Sequence, residues 1–358
     1  MLQISEQLKI EFQKTKRALA EATPKDGQAM PTGRQAQKIC IISHRSPDGD
    51  AVGSNLALRL ALESLGKEVT SASVDPVPQN SLFLKKADTF VQDFNYEDFD
   101  LIVSVDCGAL KLVAFTEKKP EILSGQKPYI NFDHHISNDH FGTINPVDDS
   151  ACSTCIIIYK FLKFCDLKIT LDIATCLLHG IYFDTGGLMH SNTTGEVMKV
   201  CADLVAKGAE LKKISKELFH TTPINRLRLW GKILERTYTN EDGVTVSAVG
   251  KSDYEACEAD SHDTGGAIDY LNAVPGSKYC VLLSEDEKGS VKGSLRTQRN
   301  DVNLSDVASK WGGGGHPKAS GFGIPGKLMP VMSWKILPEN GGEATPSGGQ
   351  AHGMDFKF

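Results

Sequence analysis

Short apolar runs alternate with stretches of helical periodicity from about residue 38 onward. The runs ICIIS (39–43), LIVSVD (101–106) and YINFD (129–133) are almost continuously apolar, which is typical of strands covered on both faces of a parallel sheet. Apolar residues at helical spacing occupy 55–65, where Gly66 ends the helix, and again 171–181 and 196–207. The pattern predicts an α/β domain with a parallel sheet over residues 38–208.

A second, smaller α/β domain is predicted over residues 239–337. Its apolar runs are VTVSAVG (244–250), YCVLLSE (279–285) and VKGSLRTQ (291–298), with a helical stretch at 267–271. A charged helical connector, 209–238, joins the two domains, and we expect a cleft between them. Residues 1–37 are predicted to hold an amphipathic helix and a flexible segment. Residues 338–358 have the Gly, Ser and Pro content of a disordered tail.

The composition is that of a soluble two-domain protein in a reducing compartment. Of 358 residues, 40% are hydrophobic, and no apolar run approaches the ~20 residues that a membrane span needs. The first residues lack the apolar core of a signal peptide. Nine irregularly spaced cysteines therefore favour free thiols and a cytoplasmic location. Cys152 and Cys155 form a CxxC without a second pair at zinc-finger distance, so we interpret them as small apolar helix residues.

The net charge of −6 bears on the class of substrate. Proteins that track long nucleic acids present a basic face, and no dense run of Lys and Arg occurs in this sequence. The acidic balance therefore disfavours long duplex nucleic acid as a partner. It does not disfavour a short nucleotide, because bound divalent cations would supply the local positive charge.

Asp and His residues gather at the carboxyl ends of the predicted strands, taking the apolar stretch HGIYFD (179–184) as a fourth such end. These residues are His44, Asp48 and Asp50, then Asp106, then Asp133, His134 and His135, and finally Asp184. Open α/β sheets bind ligands at this edge. A single Asp after a strand usually caps a helix or forms a turn, but so many carboxylates at one edge repel one another unless cations neutralise them. Carboxylate and imidazole ligands without thiolates favour Mn²⁺, with Mg²⁺ and Co²⁺ as alternatives.

A run of four glycines in the second predicted domain indicates an anion site. Such a run lets backbone N–H groups approach phosphate oxygens closely, although flexible loops have the same composition. Here it precedes His316-Pro317-Lys318, and a predicted strand before it carries an arginine that can grip a phosphate bidentately. The predicted phosphate and nucleotide pocket consists of Ser294, Arg296, Gly313, Gly314, Gly315 and His316.

These motifs together resemble the signatures of the DHH phosphoesterases. The first domain contributes HRSPDGDAVGS (44–54), the strand-end Asp106, Asp133-His134-His135 and Asp184-Thr185-Gly186. In the second domain, GSLRT (293–297) and GGGGHPKASGF (312–322) are similar to signatures of the DHH-associated substrate domain. The resemblance covers about residues 38–330 and leaves the N-terminal helix and the C-terminal tail outside it.

The resemblance also implies roles for the individual residues. The implied metal ligands are His44, Asp48 and Asp106 for one ion, and Asp50, Asp106, His134 and Asp184 for the other, with Asp106 shared. Asp133 would orient an imidazole through a hydrogen bond. His135 would face the substrate phosphate as a proton donor or charge stabiliser rather than as a ligand.

The implied reaction is hydrolysis of a phosphate ester with two metal ions, which activate water and stabilise charge at phosphorus. The architecture is similar to that of the family's nanoRNase/pAp phosphatases and stand-alone dinucleotide phosphodiesterases. We therefore expect as substrates short RNA, linear dinucleotides such as pApA and pGpG, and 3′-phosphoadenosine 5′-phosphate (pAp). A homodimer is the default assembly.

Three alternative functions stay open. A RecJ-like exonuclease on long single strands would need an aromatic-lined basic groove, which the 7% aromatic content and the acidic balance disfavour. A cyclic dinucleotide phosphodiesterase is a second alternative, because the architecture is also similar to that of the family's stand-alone enzymes of this kind. A nucleotide-sensing module that has lost its metals is disfavoured by the full set of Asp and His residues.

Overall fold

Two units, divided between Thr221 and Thr222, make up the part of the chain that the computed structural model describes, which is residues 4–20, 37–286 and 289–329. The predicted flexible segment after the first helix and the predicted C-terminal tail lie outside the described residues.

A four-stranded sheet with all strands parallel forms the centre of the first unit. In chain order its strands are β1 (Lys38–Ser43), β2 (Glu68–Ala72), β3 (Leu101–Val105) and β4 (Tyr129–Phe132). They lie in the order β2-β1-β3-β4. The three strands predicted from apolar runs are confirmed to within one residue at each end. The prediction missed β2, whose sequence EVTSA has too few apolar residues to stand out.

Both faces of this sheet are buried, as the apolar runs predicted. Alternate residues of β1 face different cores: Ile39 and Ile41 belong to one cluster of buried side chains, and Cys40 and Ile42 to another. The first cluster also contains residues of the surrounding helices. The helices of this unit are α1 (Glu6–Ala20), α2 (Gly49–Glu63), α3 (Leu110–Val113), α4 (Phe115–Lys118), α5 (Thr154–Phe164), α6 (Leu171–Asp184), α7 (Gly195–Ala206) and α8 (Leu211–Phe219).

Helix α2 begins at Gly49, six residues before the predicted start at residue 55. Glycines in its first two turns hid the helical pattern, and they are needed for packing. A Cβ on Gly53 would lie 2.5 Å from the carbonyl oxygen of Cys176 in α6, and a Cβ on Gly180 of α6 would lie 2.6 Å from Oδ1 of Asp50. The two glycines therefore let α2 and α6 approach closely enough to bring their acidic residues together.

The prediction that Asp184 ends a strand was wrong, because Asp184 is the last residue of α6. The stretch HGIYFD continues the helical spacing that begins at Leu171, and its apolar character comes from burial between helices rather than within a sheet. Cys155 lies in α5, as expected for a small apolar helix residue, whereas Cys152 precedes the helix. All nine cysteines are free.

The second unit is built on a six-stranded mixed sheet in the order β5-β6-β7-β8-β10-β9. Its elements are α9 (Ile224–Glu235), β5 (Tyr238–Thr239), β6 (Val244–Val249), α10 (Lys251–Cys257), α11 (Ala267–Asn272), β7 (Tyr279–Glu285), β8 (Ser290–Arg296), α12 (Leu304–Ser309), β9 (Gly314–His316) and β10 (Ala319–Pro325). The three predicted apolar runs correspond to β6, β7 and β8.

The segment predicted as a connector, 209–238, contains α8 and α9, and each helix packs into its own unit. Ile214 of α8 belongs to the core of the first unit, and Leu229 and Ile233 of α9 belong to that of the second. No helix in the described ranges has both the length and the apolar composition to cross a lipid bilayer.

Candidate metal centre

The turn that follows β1 carries three of the predicted ligands and is held in a fixed shape. Ser46 adopts a left-handed backbone conformation (φ 51°), and its N–H donates to Oδ2 of Asp75 at 2.8 Å. Asp48 then caps α2, with its Oδ1 accepting from the N–H groups of Asp50 and Ala51 at 3.0 and 3.1 Å. The cap places His44 before the helix and Asp50 in its first turn, so both side chains lie at the same edge of the sheet.

Asp106 lies directly after β3 and contacts an imidazole with each of its oxygens. Oδ2 lies 3.5 Å from Nε2 of His44, and Oδ1 lies 3.5 Å from Nε2 of His134. The side chain is only 3% exposed, and its backbone is left-handed with φ 60°, a conformation that a non-glycine residue seldom adopts. A carboxylate that faces two imidazoles in this way has the arrangement expected of a ligand shared by two cations.

The histidines that face Asp106 are held in the tautomer that a metal ligand needs. Nδ1 of His44 lies 2.8 Å from the carbonyl oxygen of Arg45, and Nδ1 of His134 lies 3.3 Å from that of Ala151. Because a carbonyl only accepts, each Nδ1 carries the proton and donates it. In the neutral form of each imidazole, the lone pair of Nε2 then points toward the carboxylates, which is the usual arrangement for imidazole ligands.

His135 has a different partner, the fully buried Asp133. Nδ1 of His135 donates to Oδ1 of Asp133 at 2.7 Å, and Asn138 donates to the other oxygen at 2.6 Å. His135 remains 43% exposed at its side chain. Asp133 is therefore hydrogen-bonded to the imidazole expected to face the substrate, and its role in orienting that imidazole stays a prediction.

Asp50 and Asp184 complete the cluster. Both oxygens of Asp50 are engaged by backbone, with Oδ2 accepting from the N–H of Thr154 at 2.6 Å and Oδ1 from that of Cys155 at 3.0 Å. Oδ2 of Asp184 lies 3.4 Å from Nε2 of His134. A helix end therefore supplies a candidate ligand that the sequence pattern had assigned to a strand end.

Three overlapping groups result, and in each the candidate ligand atoms lie within 4.8 Å of one another. The groups are His44, Asp48 and Asp106, then Asp50, His134 and Asp184, and finally Asp106, His134 and His135. The first group is the set implied for one ion. The second group has three of the four residues implied for the other ion, and the fourth, Asp106, lies 3.5 Å from Nε2 of His134 in that group. No cysteine takes part in any group of the described residues, so the donors are oxygen and imidazole nitrogen.

Electrostatics supports a cationic occupant for this cluster. Burial and the charge of Asp106 raise the pKa of Asp50 well above its usual value. Burial and the charge of Asp50 do the same to the pKa of Asp184. Burial lowers the pKa of His44, but the hydrogen bond and charge of Asp106 outweigh it and raise that pKa to about 9. The cluster thus retains protons when nothing else neutralises it, and divalent cations are the natural replacement for those protons.

Asp106 itself is the most acidic member of the cluster. Burial raises its pKa, but the hydrogen bond from His44 and the charges of His134 and His135 outweigh burial and lower the pKa below the usual value. Asp106 therefore stays ionised, which suits a shared ligand.

The residues predicted to bind phosphate lie on the sheet of the second unit, except Gly313, which directly precedes β9. Strand β10 separates β8 from β9, and Ala319 of β10 pairs with Arg296 on one side and His316 on the other. Gly321 pairs in the same way with Ser294 and Gly314. Residues directly opposite in an antiparallel pair share a face, so these side chains project from one face of the sheet.

The glycine run also has a packing role. A Cβ on Gly313 would lie 2.1 Å from the carbonyl oxygen of Gly321, and Gly315 has φ 144°. Glycine is therefore required for the approach of β9 to β10. The phosphate-binding role of Gly313, Gly314 and Gly315 stays a prediction.

Two residues that contact the cluster were not identified from the sequence. Thr154 donates from Oγ1 to Oδ1 of Asp106 at 3.0 Å. Nδ2 of Asn192 donates to the carbonyl oxygens of Asp184 and Cys152 at 3.2 and 3.4 Å. The Ser153-Thr154 pair indicates a helix start in the sequence, but no local pattern links it to a carboxylate 48 residues away.

Comparison with known protein families gives two matches. The DHH family N-terminal domain matches residues 38–181, and the DHHA1 domain matches residues 241–333. The first match contains the turn after β1, Asp106 and the Asp133-His134-His135 motif. The second contains β8 and the glycine-rich hairpin.

Individual relatives align over most of the chain. The bifunctional oligoribonuclease and PAP phosphatase NrnA of Thermus thermophilus is 35% identical over 87% of this chain and 91% of its own length. The protein of the same name from Bacillus subtilis is 27% identical over 80% of this chain and 89% of its own length. Among solved structures, an exopolyphosphatase-related protein from Bacteroides fragilis has the same fold. It matches with a TM-score of 0.76 and 23% identity over 90% of this chain and 92% of that chain.

Proposed function

Because this chain belongs to the DHH family of phosphoesterases, we propose that it is a metal-dependent hydrolase of short oligoribonucleotides and linear dinucleotides, and a phosphatase of pAp. The observation that carries the proposal is Asp106, whose two oxygens face His44 and His134 from two adjoining groups of ligands. The similarity to relatives named as bifunctional oligoribonuclease and PAP phosphatase supports the choice of substrate.

The residues that would hold two divalent cations are His44, Asp48, Asp50, Asp106, His134 and Asp184. When bound, the cations would lower the pKa of water and offset the charge that develops at phosphorus. His44 and His134 present Nε2 because each Nδ1 donates to a backbone carbonyl. Thr154 and Cys155 hold the Asp50 carboxylate through their N–H groups.

His135 is the proposed proton donor to the leaving oxygen. Its Nδ1 proton is committed to Asp133, so the proton delivered comes from Nε2. Burial lowers the pKa of His135, but the hydrogen bond to Asp133 and the charge of Asp106 outweigh it and raise that pKa to about 9. In the metal-free protein the imidazole therefore favours the doubly protonated form, which suits a general acid.

We infer that Mn²⁺ is the physiological ion. The proposed ligand sets combine carboxylates with one imidazole each and contain no thiolate, a mixture that suits Mn²⁺ better than the all-oxygen sites typical of Mg²⁺. Activity of the metal-stripped protein restored with Mn²⁺, Co²⁺ or Mg²⁺ tests this. Full activity with Mg²⁺ alone and none with Mn²⁺ would exclude it.

Recognition of the rest of the substrate is assigned to the second unit. Arg296 and His316 share one face of its sheet two strands apart, roughly 10 Å from backbone to backbone. A guanidinium and an imidazole at that spacing suit a phosphate and a neighbouring base or second phosphate.

Nine free cysteines support a cytoplasmic location for the enzyme.

A substrate panel in the presence of Mn²⁺ tests the proposal. It compares pAp, pApA, pGpG, cyclic dinucleotides, a 5-mer RNA and a long single-stranded DNA. We expect rapid turnover of the short linear substrates and slow turnover of the long strand. Preference for the long strand would indicate a RecJ-like exonuclease, preference for the cyclic compounds a cyclic dinucleotide phosphodiesterase, and binding without turnover a sensor.

The D106A variant tests the metal centre in the same panel. Loss of the shared carboxylate should abolish metal-dependent turnover, because both groups of ligands contact it. Asp88, an exposed residue away from the cluster, provides the control as D88A. Full metal-dependent activity in D106A would overturn the proposed mechanism.

A further inference from the structure

The first turn of α5 contacts two of the proposed metal ligands at once. The backbone N–H groups of Thr154 and Cys155 donate to the two oxygens of Asp50 at 2.6 and 3.0 Å. The hydroxyl of Thr154 donates to Oδ1 of Asp106 at 3.0 Å. One residue, Thr154, therefore bonds to carboxylates that arrive from α2 and from the end of β3.

The site of these bonds is closed to solvent. Thr154 and Asp50 are fully buried and Asp106 is 3% exposed, so bulk water cannot readily replace a lost donor. Ser153 caps the helix through its side chain, which accepts from the N–H of Ile156 at 3.3 Å. The N–H groups of the first two helical residues are left without a partner in the helix, and Asp50 accepts both.

The hydroxyl of Thr154 donates its hydrogen bond to one particular oxygen of Asp106. Oδ1, which accepts from Thr154, is the oxygen that faces His134, whereas Oδ2 faces His44. Each carboxylate oxygen has two lone pairs in the plane of the carboxylate group. A donor held fixed on one lone pair therefore fixes that plane and the directions of the remaining lone pairs. Because the backbone of Asp106 is left-handed and departs from the strand conformation, tertiary contacts rather than the strand set the orientation of its carboxylate.

We propose that Thr154 is a positioning residue for the metal centre, acting through Asp106 to align the carboxylate that the two ions share. The inference rests on the proposed function, because it assigns Thr154 a role toward ions held by His44, His134 and the surrounding carboxylates. Its side chain is fully buried, so the proposed role is exerted through Asp106 rather than by contact with substrate. Hydrogen-bond partners of metal ligands commonly change metal affinity by 10- to 100-fold when removed.

The substitution T154V isolates the hydroxyl, since valine has nearly the same shape and retains the backbone N–H that bonds to Asp50. T154S retains the hydroxyl and serves as the rescue. Thr175, a buried helical threonine of α6 that donates to the carbonyl oxygen of Leu171 at 2.9 Å, provides the matched control as T175V. Like Thr154, it is a buried threonine of the first unit whose hydroxyl donates a hydrogen bond, but its acceptor is not a proposed metal ligand.

The measurement is Mn²⁺ binding to the full-length, metal-stripped protein, followed by electron paramagnetic resonance of the free ion. Thermal unfolding in EDTA is recorded in parallel. We expect T154V to bind Mn²⁺ at least ~10-fold more weakly than wild type, with T154S and T175V within about threefold. A purely structural role would lower the unfolding temperature of T154V and T175V alike and leave Mn²⁺ affinity unchanged. If T154V does not fold, T154A replaces it in the same comparison.

The outcomes separate this inference from the proposed function. If wild type binds two Mn²⁺ and T154V binds them equally well, the role of Thr154 is overturned and the proposed metal centre stands. Wild type that binds no Mn²⁺ overturns both. Weakened binding in T154V that T154S restores supports the positioning role.

Discussion

Nδ1 of His135 lies 2.7 Å from Oδ1 of Asp133 and donates its proton to that carboxylate. The neighbouring His134 instead directs Nδ1 toward a backbone carbonyl and Nε2 toward Asp106 and Asp184. Two adjacent histidines thus have different hydrogen-bond partners, and this difference is the basis for proposing His135 as the proton donor and His134 as a metal ligand. The first prediction follows from it.

Replacing His135 by alanine should lower kcat by about 10²- to 10⁴-fold, the usual contribution of a general acid, with Mn²⁺ affinity within about threefold of wild type. H134A should weaken Mn²⁺ binding instead. Steady-state kinetics and Mn²⁺ titration of both variants check this, with H140N, an exposed position in the same loop, as the control. Equal loss of Mn²⁺ affinity in H135A and H134A would make His135 a ligand and contradict the assignment.

The stability of the metal-free protein should fall as pH rises, because the folded cluster holds protons that the unfolded chain releases. The pKa values of Asp50 and Asp184 are raised in the folded state, and that of His44 is raised to about 9. For each such group, stability is present below the unfolded pKa and is lost as pH rises through the folded pKa, at up to about 1.4 kcal/mol per pH unit. Asp106 has a lowered pKa in the folded state, so its contribution to stability is fully present above about pH 4 and does not change at higher pH.

Thermal unfolding of the metal-stripped protein at pH 5.5 and pH 8, either in EDTA or in Mn²⁺ without EDTA, measures this effect. We expect a lower unfolding temperature at pH 8 and a larger stabilisation by Mn²⁺ there, since cations replace the lost protons. The double variant D50N/D184N should show a smaller dependence on both pH and Mn²⁺. A stabilisation by Mn²⁺ that is the same at both pH values would count against proton and metal competing for one site.

The fully buried His179 should make the protein sensitive to acid. Its Nε2 lies 2.8 Å from Oγ of Ser81, its Nδ1 has no hydrogen-bond partner among the described residues, and burial lowers its pKa to about 3. Because the unfolded chain takes up this proton near pH 6.5, the contribution is present above that pH and is lost as pH falls toward 3.

The H179Q substitution should remove this pH-dependent contribution of His179 to the free energy of unfolding. Its destabilisation relative to wild type, measured by urea unfolding, should be about 2 kcal/mol smaller at pH 5 than at pH 7.5. H220Q, at an exposed histidine, is the control and should show no such difference. A destabilisation by H179Q that is independent of pH would mean that His179 is not neutral in the folded protein.

Helix α1 should be an integral part of the first unit. Phe12 is fully buried, with its ring 5.3 Å from that of Phe161 and 5.6 Å from that of Phe164. F12A should cost about 3–5 kcal/mol of unfolding free energy. I10A, at a residue 45% exposed on the same helix, should cost under about 1 kcal/mol. Urea unfolding followed by circular dichroism compares the two, and similar small effects would place α1 outside the core.

Arg296 should contribute to substrate binding more than to the chemical step. Losing its charged hydrogen bonds to a phosphate should raise KM by at least ~10-fold with a smaller change in kcat. Arg299, whose Nη2 pairs with Oδ2 of Asp301 at 2.6 Å, is the matched control as R299A. Kinetics with pApA distinguish the variants, and an unchanged KM in R296A would remove Arg296 from the proposed phosphate site.

The sequence alone indicated the Asp and His residues that the structure brings together, and most of the scaffold that carries them. Three buried strands, their parallel arrangement, and the Asp and His residues after each strand follow from apolar runs and the residues that end them. These are local features. Side chains buried on both faces must be apolar, and the ligand-binding edge of a parallel sheet is fixed by strand direction. The short strand β2, mostly polar in sequence, gave no such signal.

Only the tertiary structure decided how those residues meet. An apolar stretch of six residues has no period long enough to distinguish a strand from a helix, so Asp184 was placed on the wrong element. Its approach to Asp50 depends on Gly53 and Gly180, which let α2 and α6 pack closely. The left-handed backbone of Asp106 and its bond from Thr154 depend on contacts between segments far apart in the chain. Local patterning reports which side chains are buried, whereas the direction in which a buried carboxylate points is set by the atoms packed around it.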